Sequence, residues 1–297
     1  MNRTVGCALV ALTLAACGSS SSSSSSSPDA GVVPTTRPKA TQCTPDQDGV
    51  FVGEVSGRVL DTTGKPPTNL TVTVCGSACI AGKLNVDGTF SVAPNFCYLH
   101  GGFYPVPVFI FHGEPEYTSV NVDFVPKGVR QLDHATIEQT VYTMPTSAFA
   151  KVLYDEKSPF TISDGKGFTV SAPAGAVQLP FVEDPTVRVA EADLGHFPLG
   201  SGKGGETLSA LYVIMPDESK IDPPATVRFP NTAKLAPGST VELLAIGNLV
   251  TAKLFAPGTL GVIGAGRVTA DGTTVESVAG TDSGLITSGW IGYRPKR

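Results

Sequence analysis

Asp282-Ser283-Gly284 is an arrangement in which a serine can become a nucleophile, with neighbouring glycines letting backbone N–H groups shape an oxyanion hole. Here Thr281 and Leu285 replace the flanking glycines, and no histidine has the surroundings of a base. Ile263-Gly264-Ala265-Gly266 opens like a dinucleotide loop, but Thr269 occupies the third glycine position and Ala270-Asp271-Gly272 follows in place of a helix, which predicts a strand entering a hairpin. Gly200 to Gly205 carries Lys203 without the Ser/Thr that follows the lysine of a phosphate loop. His112-Gly113-Glu114 has the His-x-Glu of a zinc-hydroxide centre, which also needs Pro-Cys-x-x-Cys downstream, and no cysteine follows Cys97. Asp46-Gln47-Asp48-Gly49 begins like a calcium loop, yet Thr44 and Val55 stand where carboxylates are needed. His100, His112, His134 and His196 show no paired spacing, and Asp155-Glu156, Glu183-Asp184 and Asp217-Glu218 read as solvated acidic turns. The expectation is a protein that is not an enzyme, with no metal site and no cofactor.

Composition narrows the elements that could position such residues. Charged residues are 16% of the 297, against 33 glycines and 24 prolines, which disfavours long solvent-facing helices. A net charge of −5 with no Lys/Arg cluster argues against nucleic acid as a partner. From Val50 the chain is a succession of short alternating or apolar runs broken by turn residues, the pattern of sandwiches and barrels. The fold class expected is all-β, as two tandem β-sandwich domains.

In the first, residues 43–143, the runs are Val52 to Leu60, Leu70 to Val74, Thr89 to Val92, Val106 to Phe111, Ser119 to Phe124 and Gln139 to Thr143. Asp61-Thr62-Thr63-Gly64 and Asp87-Gly88 are the turns. The join is placed at Met144-Pro145-Thr146-Ser147, and the second domain occupies residues 146–297. Its runs are Phe168 to Ser171, Thr186 to Ala190, Ala210 to Met215, Thr226 to Phe229, Val241 to Ile246, Val262 to Val268 and Thr274 to Ser277.

The first residues have a different purpose. Arg3, the apolar run Val5 to Leu14 and the small residues before Cys17 form a sorting signal, too short to span a bilayer as a helix. Leu14-Ala15-Ala16-Cys17 resembles the bacterial lipobox. The resemblance implies removal of residues 1–16, diacylation of the Cys17 sulfur and a third chain on the new N-terminus, so that the bilayer is the first partner. Gly18, where a retention signal would place aspartate, implies delivery to the outer membrane. Residues 17–42 contain the unbroken tract Ser19 to Ser27, then Pro28, Pro34 and Pro38, a segment expected to be a disordered tether.

With Cys7 and Cys17 assigned to the N-terminus, Cys43, Cys75, Cys79 and Cys97 remain, an even set in an exported chain that predicts two disulfides. Three pairings are open. The preferred one joins Cys75 to Cys79 across Gly76-Ser77-Ala78 and Cys43 to Cys97; Cys-x3-Cys without paired histidines is a poor zinc spacing.

Val55-Ser56-Gly57-Arg58-Val59-Leu60-Asp61, Gly64-Lys65-Pro66, Leu70-Thr71-Val72-Thr73-Val74 and Val86-Asp87-Gly88-Thr89-Phe90-Ser91-Val92 resemble the carboxypeptidase regulatory-like, transthyretin-like domain. That likeness covers about Val50 to Val92 and implies a Greek-key accessory module. Phe168-Thr169-Val170, Ala172 to Val177, Pro224 to Asn231, Leu235 to Ser239, Asp271-Gly272 and Gly289-Trp290 are distantly similar to ZU5-type modules of bacterial surface proteins. Gly247-Asn248-Leu249 and Ile291 depart from that pattern where an Asp-His pair and a histidine are usual, so no site is carried over.

The function expected from these readings is that of a membrane-anchored envelope lipoprotein which binds, adheres or scaffolds, its partner an envelope protein or glycan. The alternative is an envelope hydrolase with an unrecognised site, or a glycan-binding module. Tyr98, Phe103 and Tyr104 around Gly101-Gly102 are candidate contacts, since aromatics on a glycine-rich loop stack on sugars or anchor partners. The reading preferred to this one is that the same side chains pack the sandwich core.

Overall fold

A strand of period two buries one face and wets the other, and this alternation shapes the molecule. The computed structural model describes residues 50–75, 79–98, 102–107, 116–124, 129, 131–180, 184–200, 202–278 and 284–296, without the side chains of 50, 96–98 and 102–107. Cys17, Cys43, the leader, the serine tether, Asp46 to Gly49, Gly101, His100, His112 to Glu114 and Asp282-Ser283 lie outside the described residues. The fold is all-β: among the described residues the helical pieces are two 3-10 turns, Leu194–His196 and Gly205–Thr207.

The first ten strands are β1 (Val50–Val52), β2 (Val55–Asp61), β3 (Leu70–Cys75), β4 (Cys79–Lys83), β5 (Thr89–Val92), β6 (Phe96–Tyr98), β7 (Gly102–Pro107), β8 (Gln131–Leu132), β9 (Ala135–Thr136) and β10 (Val141–Thr143). They form small sheets ordered β6-β1-β8, β10-β2-β5 with β9 also on β2, and β4-β3-β7. In β2 the buried residues are Val55, Val59 and Asp61, while Ser56 and Arg58 face outward. Asp61 ends the strand by accepting hydrogen bonds from Thr63 N at 2.8 Å, Thr63 Oγ1 at 2.7 Å and Lys65 N at 3.0 Å, which holds the turn the sequence predicts. At Asp87-Gly88 a side chain is forbidden: Gly88 has φ +82°, and a Cβ there would lie 2.4 Å from Val59 O.

Cys75 and Cys79 are opposite each other in the β3–β4 ladder and are joined by a disulfide with Cα atoms 4.1 Å apart. So short a loop restrains the unfolded chain little. Reduction is expected to lower stability by no more than about 2 kcal/mol, checked by urea unfolding of Cys75→Ser/Cys79→Ser against the parent.

The remaining strands are β11 (Ala150–Leu153), β12 (Phe160–Ser163), β13 (Thr169–Ala172), β14 (Val177–Gln178), β15 (Thr186–Glu191), β16 (Ala210–Met215), β17 (Lys220–Pro230), β18 (Thr240–Ile246), β19 (Leu260–Val268), β20 (Thr274–Ser277), β21 (Leu285–Thr287) and β22 (Gly289–Pro295). Their sheet follows the path β11-β15-β16-β22-β18-β19-β20-β17-β13-β12, with β14 and β21 both on β17, and its ends β11 and β12 return to each other in barrel-like fashion. Ile263 to Gly266 is the strand expected, paired along β18. β17 runs through Pro223-Pro224, which read as a break; its register shifts between Lys220 and Ala225, where the prolines' missing donors cost no regular ladder bond.

The interior of this sheet holds Phe168, Tyr212, Phe229 and Tyr293, with Phe168 stacked on Tyr212 at 4.1 Å. Its other side is covered as well. Leu211, Val213, Met215, Leu244, Ile246 and Trp290 belong to a second core cluster that also contains Val52, Val55, Val59, Val72, Phe90 and Val141 of the first ten strands. Strands β16, β22 and β18 are thus apolar on both faces. The described residues on either side of Met144 belong to one compact unit and share this core.

Ser119 to Phe124 reads as a strand but is a seam. Val120 and Val122 are buried in the shared core, Trp290 Nε1 donates to Ser119 O at 2.7 Å, and a Cβ on Gly258 would lie 2.1 Å from Asp123 N. The alternation there records burial between two layers. Thr118 N donates to Met144 O and Thr146 N to Glu116 O, both at 2.9 Å, so the seam is stitched to the join itself.

Candidate functional site

Two polar clusters stand out against this apolar frame. The first lies on the outward face of β2. Glu54 lies just ahead of β2, two residues from Ser56, and its side chain meets that of Ser91 of β5; Ser91 is opposite Ser56 on one side and Thr136 of β9 on the other. Backbone bonds from Ala135 N to Glu54 O and from Ile137 N to Ser56 O, both 2.8 Å, hold β9 in parallel register. That register brings His134 over the strand. Its Nε2 is 3.2 Å from Ser56 Oγ, and its Nδ1 is 3.5 Å from Glu54 Oε2. Ser91 Oγ donates to the other carboxylate oxygen, Glu54 Oε1. The Glu54 side chain is 14% exposed and that of His134 52%, so the carboxylate is shielded and the imidazole reaches solvent. Thr136 Oγ1 lies 3.5 Å from Ser56 Oγ.

The second cluster sits where three corners of the large sheet meet the seam. Asn248, 1% exposed, donates through Nδ2 to Asp217 Oδ1, Thr287 Oγ1 and Ser288 O, each at 3.0 Å. Its own Oδ1 accepts from Val250 N at 3.1 Å and Thr251 N at 3.3 Å. Asp217 Oδ1 also accepts from Glu218 N at 2.8 Å. Glu218 Oε1 is 3.5 Å from the donor Asn121 Nδ2 and takes Leu249 N at 3.3 Å, linking this corner to the seam. Gly289, with φ +116°, is required because a Cβ would lie 2.4 Å from Asp217 Oδ1. Burial, reinforced by the neighbouring charge of Glu218, pushes the Asp217 carboxyl up to about 7 despite the opposing bonds from Asn248 and Glu218 N.

Asp217 therefore corrects the expectation of a solvated acidic turn. That expectation is met at Asp155, exposed and held below the usual carboxylate range by Lys157 N and Ser158. The sequence reading named neither Ser56 nor a partner for His134, and the structure places the two side chains within hydrogen-bonding distance. The local cue was the Glu54-x-Ser56 spacing at the start of β2, since Ser56 and His134 are 78 residues apart.

Of the candidate contacts, Tyr98 is in β6 opposite Val50, and Phe103 and Tyr104 are in β7 opposite Val74 and Thr73; the two strands belong to different sheets. Cys97 is in β6 opposite Phe51. His196 is hydrogen-bonded to Asp193 at 2.8 Å and edge-on to Tyr142. Among the described residues no three metal-ligating side chains converge, and no helix is long and apolar enough to cross a membrane.

No family model matches the chain, and no curated protein matches it. Among solved structures, the crystal structure of a DUF3823 family protein from Bacteroides ovatus aligns over 82% of this chain and 95% of its own length, at 10% identity and a TM-score of 0.19.

Proposed function

We propose that the chain is an envelope lipoprotein, fixed to the outer membrane through acylated Cys17, whose β body is displayed on the Ser19-to-Thr41 tether and acts by binding or scaffolding an envelope protein or glycan. The observation that supports the second half is the burial of β16, β22 and β18 on both faces, which makes the described body one compact unit that meets a partner through its surface. The first half rests on Leu14-Ala15-Ala16-Cys17 and the serine tract behind it. Intact mass spectrometry of membrane-fractionated protein tests it. The expected mature chain starts at Cys17 with acyl mass, and Cys17→Ala is released to the soluble fraction; a lipid-free wild type would sink the anchor.

A second reading, an envelope hydrolase, is favoured by one observation: Ser56, His134 and Glu54 are connected in the order that nucleophilic acyl transfer uses. The two readings differ in what a surface probe meets, an inert polar face or a reactive oxygen.

A further inference from the structure

We propose that Ser56 is an acyl-accepting nucleophile, with His134 as its base and Glu54 as the positioning residue, acting on short, activated carboxylic esters. This rests on the hydrolase reading. The connectivity comes first. A neutral imidazole with Nδ1–H turned to Glu54 Oε2 leaves Nε2 as the acceptor for the Ser56 hydroxyl, 3.2 Å away. Each member is held by a separate constraint. Ser56 is fixed by ladders on both sides of β2. His134 is fixed by Gly53, whose N–H bonds Leu132 O at 2.8 Å and whose missing Cβ leaves room for Asp133 O. Glu54 is held at one oxygen by Ser91 and faces the imidazole with the other.

The steps balance without a further reactant except water. Ser56 Oγ bonds to the ester carbonyl carbon as His134 Nε2 takes the hydroxyl proton. The bond from that carbon to the alkoxy oxygen then breaks, and the His134 proton passes to the departing alcohol, leaving an acyl-Ser56 ester. Water attacks that ester through the same relay, releasing the acid and restoring the Ser56 hydroxyl. Thr136 Oγ1, at 3.5 Å from Ser56 Oγ, is a side-chain donor beside the nucleophile that can face a developing oxyanion. Across the strands Ser56 is flanked by the short side chains of Ser91 and Thr136, so nothing there holds a large acyl group and activated leaving groups are favoured.

The test uses the mature chain, an alkyl fluorophosphonate as probe and p-nitrophenyl acetate as substrate. Phosphonylation forms an Oγ–P bond and expels fluoride, and intact mass followed by peptide mapping should place one adduct on Ser56. Ser56→Ala should lose the adduct and the ester hydrolysis. His134→Gln should slow both about 100-fold. Glu54→Gln should lower kcat about 10-fold with KM unchanged, and Glu54→Asp should recover part of that loss, a split that a merely structural role would not give. Thermal melts matching the parent show the variants folded, and Ser56→Cys supplies a second check, since His134 should speed its alkylation by iodoacetamide relative to the His134→Gln background. If the wild type hydrolyses the ester and Ser56→Ala does so equally, the assignment of Ser56 fails and the hydrolase reading stands. If the wild type neither hydrolyses nor labels, both fail.

Discussion

Produced without residues 43–143, the stretch 146–297 will come out insoluble or as heterogeneous aggregate. The reason is the outer face of the large sheet. Leu211, Val213, Met215, Leu244, Ile246 and Trp290 are each no more than 3% exposed, and all belong to the cluster completed by the first strands. Burial of one such side chain contributes about 1.5–3 kcal/mol, so baring six forfeits on the order of 10 kcal/mol. That is comparable to the whole stability of an ordinary domain. The bared strands would also form a contiguous apolar patch, the kind of surface that drives self-association. Solubility and size-exclusion profiles of 146–297 against 43–297 decide the matter. A monodisperse, β-rich monomer of 146–297 would overturn the shared core as a requirement for folding.

Asp217→Asn will stabilise the protein at pH 8 and flatten its stability between pH 5 and 8. The folded carboxyl titrates at about 7, against 3.8 for an ordinary aspartate, so between these values the native state binds a proton that the unfolded chain releases. Stability from this group is fully present below about pH 4 and is lost as pH rises through 7. At about 1.4 kcal/mol per unit the loss is on the order of 3 kcal/mol, allowing for the partial exposure of the residue. Asparagine keeps an oxygen for Asn248 Nδ2 and Glu218 N and removes the charge beside Glu218. Asp87, Asp155, Asp184, Asp193 and Asp271, all held below the ordinary range, act with the opposite sign in more acidic solution and leave this window clear. Urea midpoints at pH 5 and pH 8 for parent and variant give the answer; parallel pH curves would show that Asp217 ionises normally.

Much of the fold is legible in the sequence, because period-two alternation and turn chemistry are local. Ala210 to Met215 and Thr274 to Ser277 are strands with the bounds their patterns give. Asp61 and Asp87 cap the turns that their side chains suggest. The two-sided burial was also written in Ala210-Leu211-Tyr212-Val213-Ile214-Met215, a continuous apolar run without alternation, which signals cover on both faces. What covers it is not a local property. For the same reason Ser119 to Phe124 mimics a strand: Val120 and Val122 are buried in the shared core with Asn121 buried between them, and no regular strand runs there.

The polar clusters are less legible, for a physical reason that differs between them. Ser56 and His134 meet through the parallel pairing of β2 with β9, and no spacing rule reports a contact that depends on register between distant segments. Asp217 acquires its raised carboxyl chiefly from burial, with the charge of Glu218 added, and burial at a corner is not a local property of the sequence. Asn248 was visible only as a departure from an expected motif. Its buried amide proves to be the hub that ties its own loop to Asp217 and to Thr287-Ser288.

The position of β22 in the large sheet sets an order of events. It is the partner of both β16 and β18 and lies between them, yet in the chain it follows both. While residues 247–288 emerge, the flanking strands have an empty slot between them, and neither the interior nor the outer core can close. Assembly therefore waits on a late strand whose pairings are almost all long-range, which predicts slow folding and a prolonged interval with open edges. Under the export proposed above, a body that cannot close early is also one that a translocation channel can thread.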